Sequence, residues 1–269
     1  MRSLGGNAPA ITTSVGGIFG PITSSATITI STTGSVSTVG NGSTAVALGG
    51  GSSLTIGGTV SATGAGSNAV TYQAGAGDLT IAVLAGGTVS ASQATAIAGT
   101  GANVNLRVAG IVSSGAPTAI SLGSGVDRIT VEAGARISGV VDGGGGIDAL
   151  TLTGSGTGTL GSTANIETLA VASGNWTVTG TQTYAGGTTI ASGATAIGTG
   201  AVLNGAFANA GTLQFDQATN SAFAGTISGT GQVVKSGTGT LTLGAQGYSG
   251  PTSVAGGTLA LTGNLVGGT

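Results

Sequence analysis

Seven carboxylates are all the acidic chemistry this chain carries, and Asp127, Glu132, Asp142 and Asp148 fall in one short stretch. Two of them sit in glycine-rich phrases. Gly143 to Thr151 reads GGGGIDALT, which fits the calcium nonapeptide G-G-x-G-x-D-x-U-x of secreted β-helices. Gly123 to Thr130, GSGVDRIT, is a partial copy. Asp127 and Asp148 stand 21 residues apart, so a coil of about that circumference stacks one on the other. Calcium takes roughly six to eight oxygen ligands, which neighbouring turns would have to supply together. Such sites use tandem nonapeptides, and only one full copy is present. The competing reading is that Gly fills a corner and Asp bonds turn amides. On that balance Asp127 and Asp148 are weak calcium candidates, and no cofactor is expected.

Other chemistry is excluded more firmly. Acid–base cleavage of a polysaccharide on a β-helix needs clustered carboxyls. No second carboxylate pair, and no Lys or Arg base, falls on a matching turn, so a β-helix enzyme is the least favoured reading and no residue is expected to be catalytic. Arg128, Glu132 and Arg136 are expected to form a solvated ion-pair patch. The chain has no Cys and no His. Zinc sites built from those residues, Ser-His-Asp or Cys-His nucleophiles, and disulfides are therefore impossible. The run DGGGGID lacks the Lys-Ser/Thr ending and the following helix of a phosphate loop. Five cations against seven acids cannot neutralise a nucleic-acid backbone, so no nucleic-acid partner is expected.

What must position these residues is a chain of 269 with 57 Gly and 4% charged residues. Gly, Ser and Thr are poor helix formers, which argues against an α-helical domain. Only four Pro and no three-residue Gly period exclude collagen. Disorder is opposed by a mean hydropathy of +0.47 and by abundant Val, Ile and Thr. No apolar window is long enough for a transmembrane helix. Met1-Arg2-Ser3-Leu4-Gly5-Gly6 leads into no continuous apolar run of the signal-peptide kind.

Repetition supplies the fold. Val36, Val60, Val89, Val112 and Ile137 occupy one place in GSVST, GTVSA, GTVSA, GIVSS and ARISG, at spacings of 24, 29, 23 and 25. A second segment follows in each unit: Val46 and Leu48, Val70 and Tyr72, Ala94 and Ile97, Ile120 and Leu122. A third holds Leu54 and Ile56, Leu79 and Ile81, the set Val104, Leu106 and Val108, then Ile129 and Val131. Within segments the period is two, with one buried face and one wet face. Three short strands per unit, with no helix between, predict an all-β right-handed parallel β-helix, a solenoid of about eleven rungs and about 50 Å. Residues 1–33 read as an irregular N-terminal segment or first rung. Residues 34–141 form the ladder of about 24-residue rungs.

From 142 to 269 the texture changes. Residues 173–200 and 236–263 align with one single-residue gap, matching Tyr184 to Tyr248, Ile190 to Val254 and Gly193 to Gly257. The second copy, GTGTLTLGAQGYSGPTSVAGGTLAL, resembles the autotransporter-associated β-strand repeat of Gram-negative passenger domains. Gly239, Leu241, Leu243, Tyr248, Gly250, Thr252, Val254, Gly257 and Leu259 carry the resemblance. Phe223 to Gly237 is similar to the segment leading into that repeat, and Asn165 to Gly180 to another recurrent passenger phrase. Gly247 departs from the pattern, standing where Asn or Thr commonly precedes the Tyr.

The resemblance implies a β-helix stalk, secreted or displayed on the cell surface, whose partner is its own C-terminal β-barrel. Neither a signal peptide nor aromatic-girdled barrel strands are read in this chain. It is therefore expected to be a passenger fragment, truncated within the repeat texture at Gly267-Gly268-Thr269. Absence of Cys suits export through a narrow pore. The alternative is an adhesin that binds host glycans, matrix or other cells through a face bearing Asn105, Arg107, Arg128 and Glu132. Trp176, Tyr184 and Tyr248 are candidate adhesive aromatics, with the tyrosines more simply read as corner covers. Thr-x-Thr triplets at Thr27–Thr29, Thr151–Thr153, Thr177–Thr179 and Thr240–Thr242 are too irregular to expect ice binding, and outward Thr is ordinary on a wet strand.

Overall fold

The structure, a computed structural model, describes residues 25–75, 77–180 and 182–265. The segment read at Met1 to Gly6 and the terminal Gly267-Gly268-Thr269 lie outside these residues. The described chain is all-β, a parallel β-solenoid of about eleven turns. No described helix is long and apolar enough to cross a membrane.

Alternating apolar and polar residues make each strand one-sided. Val104–Val108 buries Val104, Leu106 and Val108 and exposes Asn105 and Arg107. Strands of this kind stack in register into four sheets, of ten, nine, six and three strands. The ten-stranded sheet, here the first face, runs from Thr27–Ile30 to Thr226–Ser228. The nine-stranded sheet covers the N-terminal half in two columns. Ser35–Thr38, Thr59–Ala62 and Thr88–Ala91 form one, and Val46–Leu48, Val70–Tyr72 and Ile97–Gly99 the other. The eleven-residue strand Ile111–Ser121 joins them. From Thr157–Leu160 onward a six-stranded sheet takes over, and three strands from Ser221 close the last coils.

The column Val36, Val60, Val89, Val112 and Ile137 stacks as the sequence indicates. Their neighbours Ser37, Ser61, Ser90, Ser113 and Ser138 form a parallel column of hydroxyls on the outer side. Two expected pairings shift. Leu54 faces Ile81 rather than Leu79, because Leu79 extends its strand by one alternation. Val70 faces Ile97 and Tyr72 faces Gly99, leaving Ala94 outside the column.

The coils shorten along the rod. On the first face Leu54 meets Ile81 27 residues on, Asn105 meets Arg128 after 23, and Leu169 meets Thr188 after 19. Aliphatic side chains, with Tyr72 among them, fill the wide coils, whereas the narrow ones hold Trp176, Phe207, Phe215, Phe223 and Tyr248. Phe223 packs against both Phe207 and Phe215, with ring centres 5.9 and 5.2 Å apart.

Coil length also displaces the two aligned repeats. Asn175 reaches Gln232 through Thr195 and Thr212, so three coils of that face take 57 residues. The repeats recur after 63 or 64, about one face further round. Ile190 therefore lies buried on the first face, while Val254 lies on the six-stranded sheet and is 52% exposed. The four Thr triplets likewise spread over three sheets.

A large inward side chain demands space in the next coil. Trp176 stands in register with Gly158, and Tyr72 with Gly99. A Cβ at Gly158 would lie 2.3 Å from the indole ring. Gly158→Val is therefore expected to destabilise the rod by about 1–3 kcal/mol through overpacking. The sole Trp, now fully buried, reports it: urea unfolding should show the loss, and native emission should shift to the red.

Candidate functional site

The sequence brings three acids to one corner by repeating one phrase. Val126-Asp127-Arg128-Ile129, Ile147-Asp148-Ala149-Leu150 and Ile166-Glu167-Thr168-Leu169 each place an acid immediately before a first-face strand. Register then stacks them. Arg128 faces Ala149 and Ala149 faces Thr168, so Asp127, Asp148 and Glu167 lie one above another. Their alternation is in phase with Ile129, Leu150 and Leu169, which point inward. The acids thus continue the apolar column Leu79–Val104.

Each carboxyl caps the coil before it. Asp127 Oδ1 accepts the Val104 N–H at 2.7 Å, Asp148 Oδ1 accepts the Asp127 N–H at 2.7 Å, and Glu167 Oε2 accepts the Asp148 N–H at 2.6 Å. Asn103 reaches the other way, its Oδ1 accepting the Val126 N–H of the following coil at 2.9 Å. Asp127 is fully buried and Asp148 is 1% exposed. The second oxygen of each, Oδ2, is buried without a hydrogen-bond partner among the described residues. Burial pushes the Asp127 carboxyl up to about 7, with Asp148 adding repulsion, against the pull of the Val104 amide. Asp148 is raised as well, chiefly by burial, then by Glu167 and Asp142. Tyr72 is also raised, by burial and by both aspartates, while its hydroxyl donates to the Leu122 carbonyl at 2.5 Å.

The stacking of Asp127 on Asp148 is as the spacing indicated. Glu167 is the member that sequence reasoning passed over, although the recurring acid-before-strand phrase marks it. Calcium is poorly served here. One oxygen of each aspartate is committed to an amide, and no group of three or more Asp or Glu is placed to share an ion among the described residues. Gly143–Gly146 instead make a tight corner: Asp142 Oδ1 accepts the Gly144 N–H and the Asn165 side-chain amide. Asn165 has φ +50°, the one non-Gly residue with positive φ among the described residues.

The remaining candidates disperse. Glu132 pairs with Arg107, at 2.5 and 2.6 Å, and not with Arg128 or Arg136 as expected. The reason is register: Arg107 sits one coil below on the same outer face, opposite Thr130, whereas Arg136 begins a strand of another sheet. Trp176, Tyr184 and Tyr248 are all buried. Tyr184 bonds Gln182 and Thr163, and the Trp176 indole N–H donates to the Ser173 carbonyl. They serve the core and present no adhesive surface. The sole lysine, Lys235, is fully buried, its ammonium donating to the carbonyls of Ser236, Gly237 and Gly256.

The architecture so far defines a repeat protein of the parallel β-solenoid class. Residues 173–197 and 233–261 match the family model of the passenger-associated transport repeat. Repeat and solenoid together support an autotransporter passenger domain with such repeats. No curated protein matches the chain, and no solved structure does.

Removing an acceptor from the ladder tests its structural share. At pH 5, Asp148→Ala should cost about 1–3 kcal/mol in urea unfolding, because the buried Asp127 N–H loses its partner. Asp148→Asn, which keeps the Oδ1 acceptor, should cost clearly less.

Proposed function

We propose that this passenger domain is a structural stalk, displayed on the cell surface or secreted, which holds other parts of the protein away from the membrane. The observation that supports it most is the unbroken first face, ten strands stacked from Thr27 to Ser228. A solenoid whose coils contact only their neighbours can be lengthened coil by coil without altering any one of them. In this reading no residue is catalytic and no cofactor is bound. The passenger family implies a C-terminal β-barrel partner in the full-length protein and export to the cell surface or beyond.

Folding outside the cell would then help to draw the chain outward. Leu241 is fully buried in Thr240–Leu243, between Ser221–Phe223 and Thr258–Leu261. Proline there removes a ladder N–H from a central strand. Surface display of the full-length protein carrying Leu241→Pro should fall sharply. Unchanged display would show that coil formation in these repeats does not assist export.

A second reading rests on one patch. Asn105, Arg107, Arg128 and Glu132 share the outer side of adjacent first-face strands, and Arg128 is exposed without an ionic partner among the described residues. As an adhesin, the domain would bind an acidic glycan or matrix component there. The stalk reading expects no signal from the isolated rod on glycan arrays or host cells. The adhesin reading expects binding that Arg128→Ala weakens about tenfold, the worth of one charge-assisted contact.

A further inference from the structure

The buried acids ask for an explanation that stacking alone does not supply. An inward column of Leu79 and Val104 changes to Asp127, Asp148 and Glu167 for three coils in the middle of the rod. One oxygen of each aspartate completes a backbone bond to the coil before. The other is buried with no partner. No cation among the described residues answers them. Arg107, Arg128 and Glu132 alternate to the outer face of the same sheet. Tyr72, facing them from the neighbouring sheet, spends its hydroxyl on Leu122. Asp142 is held by Gly144 and Asn165. Glu167, partly exposed, closes the ladder at the next coil with a further negative charge.

A desolvated carboxyl with an unsatisfied oxygen is tolerable neutral and costly when ionised. We infer that the Asp127–Asp148 pair of this ladder is a proton-operated joint. With the two aspartates neutral, the coils between Asn103 and Thr168 stay closed; with them ionised, that stretch opens while the coils beyond it remain folded. Opening lets both aspartic acids release their protons to water, and closing takes them back. The neighbouring corner suits local opening, being four consecutive glycines, Gly143 to Gly146, with little side-chain packing of their own.

The direction follows from linkage. The folded Asp127 carboxyl holds its proton up to about 7, and the open one only up to about 3.8. Below that lower value both forms are neutral and closure is strongest. Between the two values the closed form holds a proton that the open form has lost, so closure weakens steadily as pH rises. Above about 7 the weakening is complete.

Amide hydrogen exchange at pH 5 and pH 8, corrected for intrinsic rates, reads this directly. The Val104, Asp127 and Asp148 amides, which donate to the ladder carboxyls, should lose about tenfold or more of their protection at pH 8. The Val233 amide, bonded to the Pro251 carbonyl far along the rod, should keep its own. Asp127→Asn with Asp148→Asn retains both acceptors, removes both titrations and should abolish the pH effect. If that pair does not fold, Asp127→Asn alone should shrink it. Asp216→Asn, at an exposed carboxyl of another sheet, should leave it intact. Equal protection at both pH values would overturn the joint. So would a loss shared equally by Val233, or one that survives in the Asn variants.

Discussion

Parallel in-register stacking is the constraint from which everything else in this molecule follows. A strand in the interior of the rod gives its N–H and C=O groups to the coils before and after it. The corner residues do the same wherever a backbone bond crosses between coils, as Leu84 N–H to Ile56 and Ile111 N–H to Gly87 illustrate. Once the backbone is satisfied that way, each side chain belongs to a column repeating at about 4.8 Å, and a column must be compatible with itself. Val on Val, Ser on Ser and Thr on Thr meet that condition without adjustment. Charges do not, because like charges directly above one another repel at short range. The near absence of charged residues is therefore a consequence of the architecture as much as of any export route.

Size obeys the same rule. An indole cannot stack on an equal-sized neighbour in every coil, so Trp176 is met by Gly158 and Tyr72 by Gly99. Twenty described glycines take positive φ, all but Gly139 outside the strands, and others, such as these two, leave room for a ring. High Gly content thus has two separate causes, backbone direction at the corners and volume within the strands.

The sequence made the column structure legible and left the phase obscure. Val36 to Ile137 could be stacked by eye because one phrase recurs with the same parity. Leu54 could not be set against Ile81 that way, because a strand that gains one alternation at its start looks the same in pattern. The aligned repeats hid their change of face for a related reason: 57 residues per three coils against a recurrence of 63 or 64 is invisible until coil length is known. The aspartate stack shows in a spacing of 21, whereas Glu167 follows after only 19, inside a phrase that resembles passenger texture. The ion pair is hidden for the same kind of reason: Arg128 and Arg136 neighbour Glu132 in sequence, while Arg107 neighbours it only in register.

Nearest-coil dependence also decides where function can reside. A change in one column is felt by the coil on either side and then fades, since no side chain reaches far along the axis. Tyr72 is the exception that measures the range, its hydroxyl meeting Leu122 two coils on. Lys235 and the carboxyl ladder show the two ways a charge can be tolerated inside. The ammonium donates to three carbonyls at a corner, where the coil leaves acceptors unused. The carboxyls receive one amide each and have no further donor, so the same burial leaves them incompletely satisfied. A corner has spare carbonyls more often than spare amides when successive N–H groups are already committed to the adjacent coil. Lys235 thus has every ammonium donor placed on a carbonyl, whereas each aspartate keeps one oxygen for which the fold supplies no donor among the described residues. That unmet demand is why the aspartates are where a uniform rod can acquire a condition-dependent property.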